Sequence, residues 1–247
     1  MDVLDNTLKT PEDIKETFGY KVLGALPHLD RLSEDVREDA FRALKNSVRY
    51  AMSSKNVRSL AVISPGRQDG RTTVAFRLAE ELARSGSKVL YINADLRKPV
   101  PVKTIQEVGM KGLTDYLSGD ASLEDILEPP GLREFYSIPS GIVPPDALTL
   151  LDSQCFMRLV SQVAGQFDGV ILDTPALEEA PDGMVVSGKT DGALLVIRSG
   201  RVKSRQAESM KSALEEARIP VLGVVLNDTD GRMVHKASDS RGLYGKR

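Results

Sequence analysis

The chain has 247 residues, of which 41% are hydrophobic and 28% are charged. This length and composition suit one α/β domain with a short appendage. The 33 basic residues nearly balance the 35 acidic ones, so the formal net charge of −2 offers no electrostatic basis for binding nucleic acid. The single cysteine excludes an internal disulfide and argues against a cysteine-ligated metal centre, which favours a cytoplasmic protein. No apolar run approaches the roughly 20 residues of a membrane span.

About 60 residues precede the first buried strand that the sequence predicts. They contain a helix start at Thr10 and Pro11, because threonine is a good N-cap and proline fits the first helical turn. A short apolar run follows at residues 22–27, and a helix is predicted over about residues 38–51. We divide the chain into an N-terminal segment (1–35), a main domain (36–227) and a flexible C-terminal tail (228–247).

Short apolar runs alternate with longer helical patterns along the rest of the chain. Most of these runs are continuous, as in strands that are covered on both faces. Their alternation with helices is typical of βαβ units and predicts a mostly parallel sheet with helices on both faces. The predicted strands are 60–63, 89–92, 135–138, 170–172, 193–197 and 221–226, and the predicted helices between them include 72–85, 151–166 and 204–218.

A glycine-bounded segment at residues 64–73 follows a predicted strand and opens a helix. It resembles the phosphate-loop pattern G-x-x-x-x-G-K-[ST], known as Walker A: Gly70 and Thr72 stand at their positions, Arg71 replaces the lysine, and Gly66 lies one position after the first glycine of the pattern. Such a loop turns backbone N–H groups inward around phosphates at a helix N-terminus, which requires small residues. The threonine hydroxyl is suited to Mg²⁺, and arginine keeps the cation in a bulkier, planar form.

Two aspartates stand at the ends of later strands. Asp95 follows the strand at residues 89–92, and Asp173 ends the strand at residues 170–172. Open α/β sheets bind ligands at the carboxyl ends of their strands, and P-loop proteins hold Mg²⁺ with such aspartates. The sequence therefore predicts an α/β fold of the P-loop NTPase type that binds ATP or ADP with Mg²⁺, the metal being held by Thr72, Asp95 and Asp173.

Several segments resemble the bacterial tyrosine kinases, which are cytoplasmic domains of polysaccharide co-polymerases in capsule and exopolysaccharide biosynthesis. The similarity extends over nearly the whole chain. Residues 4–13 and 22–27 look like the family segment that follows the last transmembrane helix. The resemblance therefore implies a juxtamembrane-like N-terminus and a module at the inner face of the plasma membrane, attached to a membrane-spanning anchor that is absent from this chain. The other matching segments are 94–99, 111–126, 138–145, 171–175 and 222–227.

The resemblance also implies roles for individual residues. In this family the phosphate-loop cation and threonine, here Arg71 and Thr72, hold ATP and Mg²⁺. The strand-end aspartates, here Asp95 and Asp173, bind the metal and help to activate a tyrosine hydroxyl. A tail tyrosine, here Tyr244, is phosphorylated in a neighbouring subunit. Asn227 is expected near the adenine, which makes the nucleotide-binding set Gly66, Gly70, Arg71, Thr72, Thr73 and Asn227.

An oligomerisation motif is a further implication of the resemblance. Asp39, Arg42 and Lys45 are similar to the family's Glu-x-x-Arg-x-x-Arg motif, with two conservative exchanges. At this spacing we expect the three side chains to lie along one helix face and to bridge subunits. The implied partner is a second copy of the chain in a ring.

Four departures from the family pattern affect the parts that carry out the chemistry. Arg71 replaces the lysine, and Gln68 stands where the family usually has a second glycine. Asn93 replaces the first aspartate of an Asp-x-Asp pair, and an amide cannot act as a general base. The tail carries one tyrosine, Tyr244, instead of a cluster. Phosphoryl transfer depends on positioning and charge neutralisation, so each lost contact commonly costs roughly 100-fold in rate.

Three interpretations follow. The chain is a working protein-tyrosine kinase in which Arg71 substitutes for lysine, or it is a pseudokinase that regulates polysaccharide assembly as a nucleotide-sensing scaffold. A third interpretation is a partitioning ATPase of the related deviant-Walker class. Against the third, the signature lysine near the start of that class's loop is absent, since Pro65 and Gly66 occupy the region. We favour the pseudokinase.

Overall fold

The structure is a computed structural model, and it describes residues 6–28, 33–97, 111–131 and 133–229. Seven strands within these residues form one parallel sheet in the order β1-β7-β6-β2-β5-β3-β4. The strands are β1 (Val22–Pro27), β2 (Ser59–Ile63), β3 (Val89–Asn93), β4 (Phe135–Ile138), β5 (Gly169–Asp173), β6 (Gly192–Arg198) and β7 (Val221–Thr229).

Helices connect these strands and cover both faces of the sheet, which confirms the predicted α/β fold class. None of the helices in the described part of the chain is long and apolar enough to cross a lipid bilayer. The helices are α1 (Pro11–Phe18), α2 (Glu34–Lys55), α3 (Arg71–Arg84), α4 (Leu113–Ser118), α5 (Leu123–Ile126), α6 (Ala147–Asp152), α7 (Gln154–Ala164), α8 (Asp182–Ser187) and α9 (Ser204–Glu216).

The central strands are buried along their whole length. Every residue of β2, β3 and β5 is buried, because helices pack on both faces. Alternate residues of each strand therefore enter different cores: Val62 packs with α2 and α3, whereas Ala61 packs on the opposite face with α7. This double coverage explains why the strands are continuous apolar runs in the sequence.

The predicted helix over residues 151–166 is wrong as a single element. The structure has two helices, α6 and α7, that meet at Ser153. Ser153 has extended backbone angles (φ −67°, ψ 155°), and its hydroxyl accepts a hydrogen bond from the backbone N–H of Phe156. Serine side chains compete with helix hydrogen bonds in this way, so an N-cap interrupts an apolar pattern that continues across it.

The predicted boundary at residue 35 does not separate a structural unit. The strand β1 pairs with β7 at the edge of the sheet, and Ile14 and Phe18 of α1 are fully buried in the core beside α9. The boundary itself falls within α2. Similarly, β7 continues to Thr229, beyond the predicted start of the tail at residue 228, and residues 230–247 of the predicted tail lie outside the described residues.

Candidate nucleotide-binding site

The phosphate loop joins the end of β2 to the start of α3, as predicted. β2 lies between β5 and β6, so the loop emerges in the middle of the sheet. Asp173, at the end of β5, is paired in register with Val62 of β2 on one side and with Asn93 of β3 on the other. Asp95 follows β3 by two residues. The parallel register therefore brings the loop, Asn93 and both aspartates to one sheet edge.

The side chain of Arg71 bridges the two aspartates. Its Nε donates a hydrogen bond to Asp173 Oδ1 at 3.1 Å, and its Nη2 lies 3.5 Å from Asp95 Oδ2. Its Nη1 donates to Ser64 Oγ at 3.0 Å, and the residue is only 9% exposed. The guanidinium is thus held from three sides in the space between the carboxylates.

Asp173 is the buried anion at the centre of the site. Burial raises the pKa of its carboxyl, while the Arg71 guanidinium and a hydrogen bond from the Thr72 side chain act in the opposite direction. The hydroxyl of Tyr91 also lies 3.4 Å from Asp173 Oδ2, and burial together with this carboxylate raises the pKa of Tyr91 well above its usual value. Arg71, Thr72 and Tyr91 therefore form a ring of donors around one carboxylate.

Asn93 is 1% exposed, and the oxygen and nitrogen atoms of its side-chain amide differ in their hydrogen bonding. Its Oδ1 accepts a hydrogen bond from the backbone N–H of Asp95 at 3.1 Å. Its Nδ2 is buried and has no hydrogen-bond partner within the part of the chain that the structure describes. A buried donor without a partner costs about 1–3 kcal/mol, so this amide is a candidate contact for a ligand oxygen.

Carboxylates of the chain itself hold two backbone N–H groups of the loop. The N–H of Gly66 donates to Asp69 Oδ2 at 2.8 Å, and the N–H of Arg67 donates to Glu178 Oε1 at 2.8 Å. Asp69 is 2% exposed, and burial raises the pKa of its carboxyl. These N–H groups bind anions here, which is the property required of a phosphate loop. Sequence patterns did not identify Asp69, although it lies within the motif, or Glu178, which carries no local signal.

Two arginines, one in β6 and one in the turn that follows it, donate hydrogen bonds to backbone carbonyls of the loop. Arg198 Nη1 donates to the carbonyl of Gln68 at 3.2 Å, and Arg201 Nη1 donates to the carbonyl of Arg67 at 2.7 Å. Gln68 itself has a left-handed backbone with φ +61°. This conformation costs a non-glycine residue roughly 1–2 kcal/mol, which explains why glycine suits this position better.

Asn227 and Gly70 are packed against each other. The Nδ2 of Asn227 donates to the carbonyl of Asp69 at 2.8 Å, and Gly70 has φ +90°. A Cβ at Gly70 would lie 2.1 Å from Asn227 Nδ2. A cavity of about 290 Å³ opens beside this contact, and Thr73 and Phe41 are also among the residues that line it. The position predicted for the adenine, near Asn227, therefore has space next to it.

The predicted oligomerisation residues do not share one exposed face. Asp39 and Arg42 are exposed on α2 and form an ion pair at 2.5 Å. Lys45, on the same helix, is only 8% exposed. A contact with a second subunit at this surface would therefore involve Asp39 and Arg42 directly, whereas Lys45 is buried. The predicted phosphorylation site, Tyr244, lies outside the described residues.

The residues predicted to hold Mg²⁺ lie together, but their arrangement does not fit the metal. Mg²⁺ requires near-octahedral oxygen ligands at about 2.0–2.1 Å and usually retains several waters. Here the Arg71 guanidinium lies between Asp95 and Asp173, and the Thr72 side chain is hydrogen-bonded to Asp173.

A parallel sheet, a glycine-bounded loop that opens a helix, and an aspartate at the end of the adjacent strand together define a P-loop NTPase. Tyrosine-protein kinase CpsD of Streptococcus agalactiae serotype Ia is 34% identical to this chain over 209 residues, which are 84% of this chain and 86% of that protein. The chain belongs to the bacterial tyrosine kinase family.

Solved structures agree with this assignment. The kinase domain of the Escherichia coli tyrosine kinase ETK matches with a TM-score of 0.78 and 28% identity, over 88% of this chain and 93% of that domain. The septum site-determining protein MinD of Pyrococcus horikoshii, solved with Mg-ADP, matches with a TM-score of 0.59 and 24% identity, over 72% of this chain and 76% of that protein. The MinD similarity shows a common fold. No protein-family model matches the chain.

The contact between Gly70 and Asn227 leads to a first prediction. Gly70→Ala should reduce the free energy of unfolding by at least about 2 kcal/mol, because the new Cβ adds overpacking to left-handed strain. Gly86→Ala is the matched control, since Gly86 has φ +92° and no atom lies within 4 Å of the position that its Cβ would take. It should cost only about 1 kcal/mol. Urea denaturation measures both values, and equal losses would contradict the close packing at Gly70.

The buried ion cluster leads to a second prediction. Arg71→Met should cost about 3 kcal/mol near pH 7, because two buried carboxylates lose their cation. The pKa of Asp173 is already raised in the folded protein and rises further without Arg71, so protonation stabilises the folded variant as the pH falls. Urea denaturation near pH 7 and near pH 5 should show a smaller loss at the lower pH.

Two results check the cause of this effect. The double variant Arg71→Met/Asp173→Asn should recover much of the stability at neutral pH, since it removes the charge that the guanidinium balances. A loss from Arg71→Met that is identical at both pH values would show that packing, rather than charge, holds Arg71 in place.

Proposed function

We propose that this chain binds ATP or ADP at the loop over residues 64–73 and has weak or lost tyrosine kinase activity. In this proposal it acts as a regulatory scaffold, a pseudokinase, in the polymerisation and export of capsular polysaccharide or exopolysaccharide. The observation that carries the proposal is the Arg71 guanidinium between Asp95 and Asp173. A cation that is held by these two aspartates is not directed at the transferring phosphate.

The chemistry of phosphoryl transfer supports weak activity. Catalysis depends on cations that neutralise charge on the phosphates and on a group that accepts the hydroxyl proton. Arg71 is held by carboxylates, and Asn93 provides an amide where a carboxylate would be needed as a base. Each change alone is expected to slow transfer roughly 100-fold, so the two together account for loss of activity while nucleotide binding remains.

The proposed partners are other copies of the chain, in a ring, and a membrane-spanning polysaccharide co-polymerase anchor. The exposed pair Asp39 and Arg42 on α2 supports the first partner. The second is supported by the juxtamembrane-like segment, because its strand β1 pairs with β7, the strand that carries Asn227. An anchor that pulls on β1 at the inner face of the plasma membrane would act on the strand that holds the phosphate loop.

An active kinase that phosphorylates Tyr244 in a neighbouring subunit is the second candidate. Asp95 and Asp173 are both retained at the sheet edge, and the relative CpsD, at 34% identity, is named a tyrosine-protein kinase. The partitioning-ATPase interpretation has less support, since the MinD structure matches with a TM-score of 0.59 against 0.78 for the ETK kinase domain.

Nucleotide binding is tested by calorimetric titration of ADP and ATP into the full chain. We expect saturable binding of one nucleotide per chain. Gly70→Ala should abolish it, because the loop cannot keep its conformation, whereas Gly86→Ala, at the far end of α3, should bind normally. Binding that is absent, or that survives in Gly70→Ala, would exclude the loop as the site.

Kinase activity is tested by incubating the full chain with ATP and detecting phosphotyrosine by immunoblot. We expect no signal from the native chain and a signal from Arg71→Lys/Asn93→Asp, because this double variant restores a point cation and a carboxylate. Tyr244→Phe in that background should remove the signal. Phosphotyrosine in the native chain that disappears in both Asp173→Ala and Tyr244→Phe would establish the active kinase instead.

A further inference from the structure

The Arg71 guanidinium lies between the carboxylates of Asp95 and Asp173 and balances part of their charge. We propose that this chain binds its nucleotide in the metal-free form, with the Arg71 guanidinium and the Asn93 amide in the place of Mg²⁺. This inference rests on the proposed function, since it concerns the chemical form of the nucleotide bound at the same loop. The ligand class is a free nucleoside diphosphate or triphosphate.

The charge between the two carboxylates is the first reason. Arg71 Nε is 3.1 Å from Asp173 Oδ1, and Nη2 is 3.5 Å from Asp95 Oδ2, so one guanidinium contacts both groups. All three residues are at least nine-tenths buried. A divalent cation entering this space would be repelled by the guanidinium at short range in a poorly screened environment. The guanidinium also balances one of the two negative charges, which weakens the attraction of the site for a metal ion.

The remaining oxygen groups already take part in hydrogen bonds within the protein, which is the second reason. The Thr72 side chain is hydrogen-bonded to Asp173, and the Tyr91 hydroxyl lies 3.4 Å from the same carboxylate. Ser64 Oγ accepts from Arg71 and donates to the carbonyl of Gly66. A metal ion would have to displace several of these contacts at once, and Mg²⁺ gives up its own water ligands reluctantly.

The direction of the Asn93 amide is the third reason. Its Oδ1 accepts from the backbone N–H of Asp95, which fixes the orientation of the amide and leaves Nδ2 as a buried donor without a partner in the described residues. An NH₂ group repels a metal ion and donates to a phosphate oxygen. An aspartate at position 93 would do the opposite. Asn93 therefore changes the preferred ligand from a metal ion to the oxygen of an uncomplexed phosphate.

Two further guanidinium groups lie at the rim of the loop. Arg198 and Arg201 donate to the loop carbonyls of Gln68 and Arg67, which places two guanidinium groups against the loop backbone. Each of them also faces one carboxylate, Asp228 for Arg198 and Asp69, at 3.9 Å, for Arg201. Fixed arginines of this kind bind phosphate without a metal, and guanidinium geometry suits paired oxygens.

The test compares ADP binding to the full chain in EDTA and in millimolar Mg²⁺ at matched ionic strength. We expect the dissociation constant in Mg²⁺ to be similar to or higher than the value in EDTA, because Mg²⁺ draws part of the free ADP into a complex that the site does not accept. A value at least about fivefold lower in Mg²⁺ overturns the inference. The variant Arg71→Lys/Asn93→Asp should bind ADP more than about tenfold tighter with Mg²⁺ than without it. If Mg²⁺ does not change the affinity of this variant for ADP, then Arg71 and Asn93 are not the residues that take the place of the metal.

A second measurement separates this inference from the proposed function. If ADP binds in neither buffer, nucleotide binding is refuted. Thermal unfolding with Mg²⁺ alone then tests whether Arg71 occupies the position that the metal would take between the two aspartates. Mg²⁺ should leave the Tm of the native chain unchanged and raise that of Arg71→Met by about 2 °C or more, because the metal then replaces the guanidinium. A rise in the native chain, or none in Arg71→Met, overturns the inference.

Arg97→Met is the matched control for this second measurement. Arg97 forms a two-point hydrogen bond with Asp182, at 2.7 and 2.9 Å, so its loss also uncovers a buried carboxylate. Arg97 also lies near Asp95, but Arg71 still occupies the space between Asp95 and Asp173 in this variant, so no carboxylate pair is opened for a metal ion. We expect no effect of Mg²⁺ on the Tm of Arg97→Met, and a rise equal to that of Arg71→Met would mean that Mg²⁺ stabilises the fold unspecifically, against the inference.

Discussion

The contact between the Arg71 guanidinium and the carboxylates of Asp95 and Asp173 is the interaction on which the site depends. Asp173 is fully buried at the end of a central strand, where an unbalanced negative charge would be strongly unfavourable. A lysine at position 71 would offer a flexible point charge that can follow a phosphate, whereas the planar guanidinium contacts two carboxylates and a serine hydroxyl together. The exchange at one position therefore links stability, nucleotide binding and the capacity for phosphoryl transfer.

The sheet connects this site to the N-terminal part of the chain. β1 pairs with β7, and Asn227 of β7 donates to the loop carbonyl of Asp69. Asp228, the next residue, pairs with Arg198, which in turn donates to the carbonyl of Gln68. A displacement of the edge strand would thus reach the loop through two adjacent side chains. This arrangement suits a protein whose proposed role is to sense nucleotide and report to a membrane anchor, since both functions meet at one strand.

The parts of the fold that could be predicted are those determined by local pattern. Apolar runs identified β2 to β7, and glycine spacing identified the loop, because both patterns reflect requirements within a few residues. The apolar run at residues 22–27, which forms β1, was not assigned to a strand. The break at Ser153 was missed because the apolar spacing continues across it. The location of Arg71 could not be derived, since its partner Asp173 is 102 positions away and the choice between a phosphate and a carboxylate depends on burial. Glu178, which holds the N–H of Arg67, lies similarly far along the chain.

The most direct test of this account is a crystal structure of the full chain grown with ADP and Mn²⁺, with the metal located by its anomalous scattering. Mn²⁺ occupies oxygen sites of the kind that Mg²⁺ prefers. We expect ADP phosphates on the loop, the Arg71 guanidinium between Asp95 and Asp173, and no anomalous peak between these carboxylates. A manganese peak between them, with Arg71 turned towards the phosphates, would contradict it.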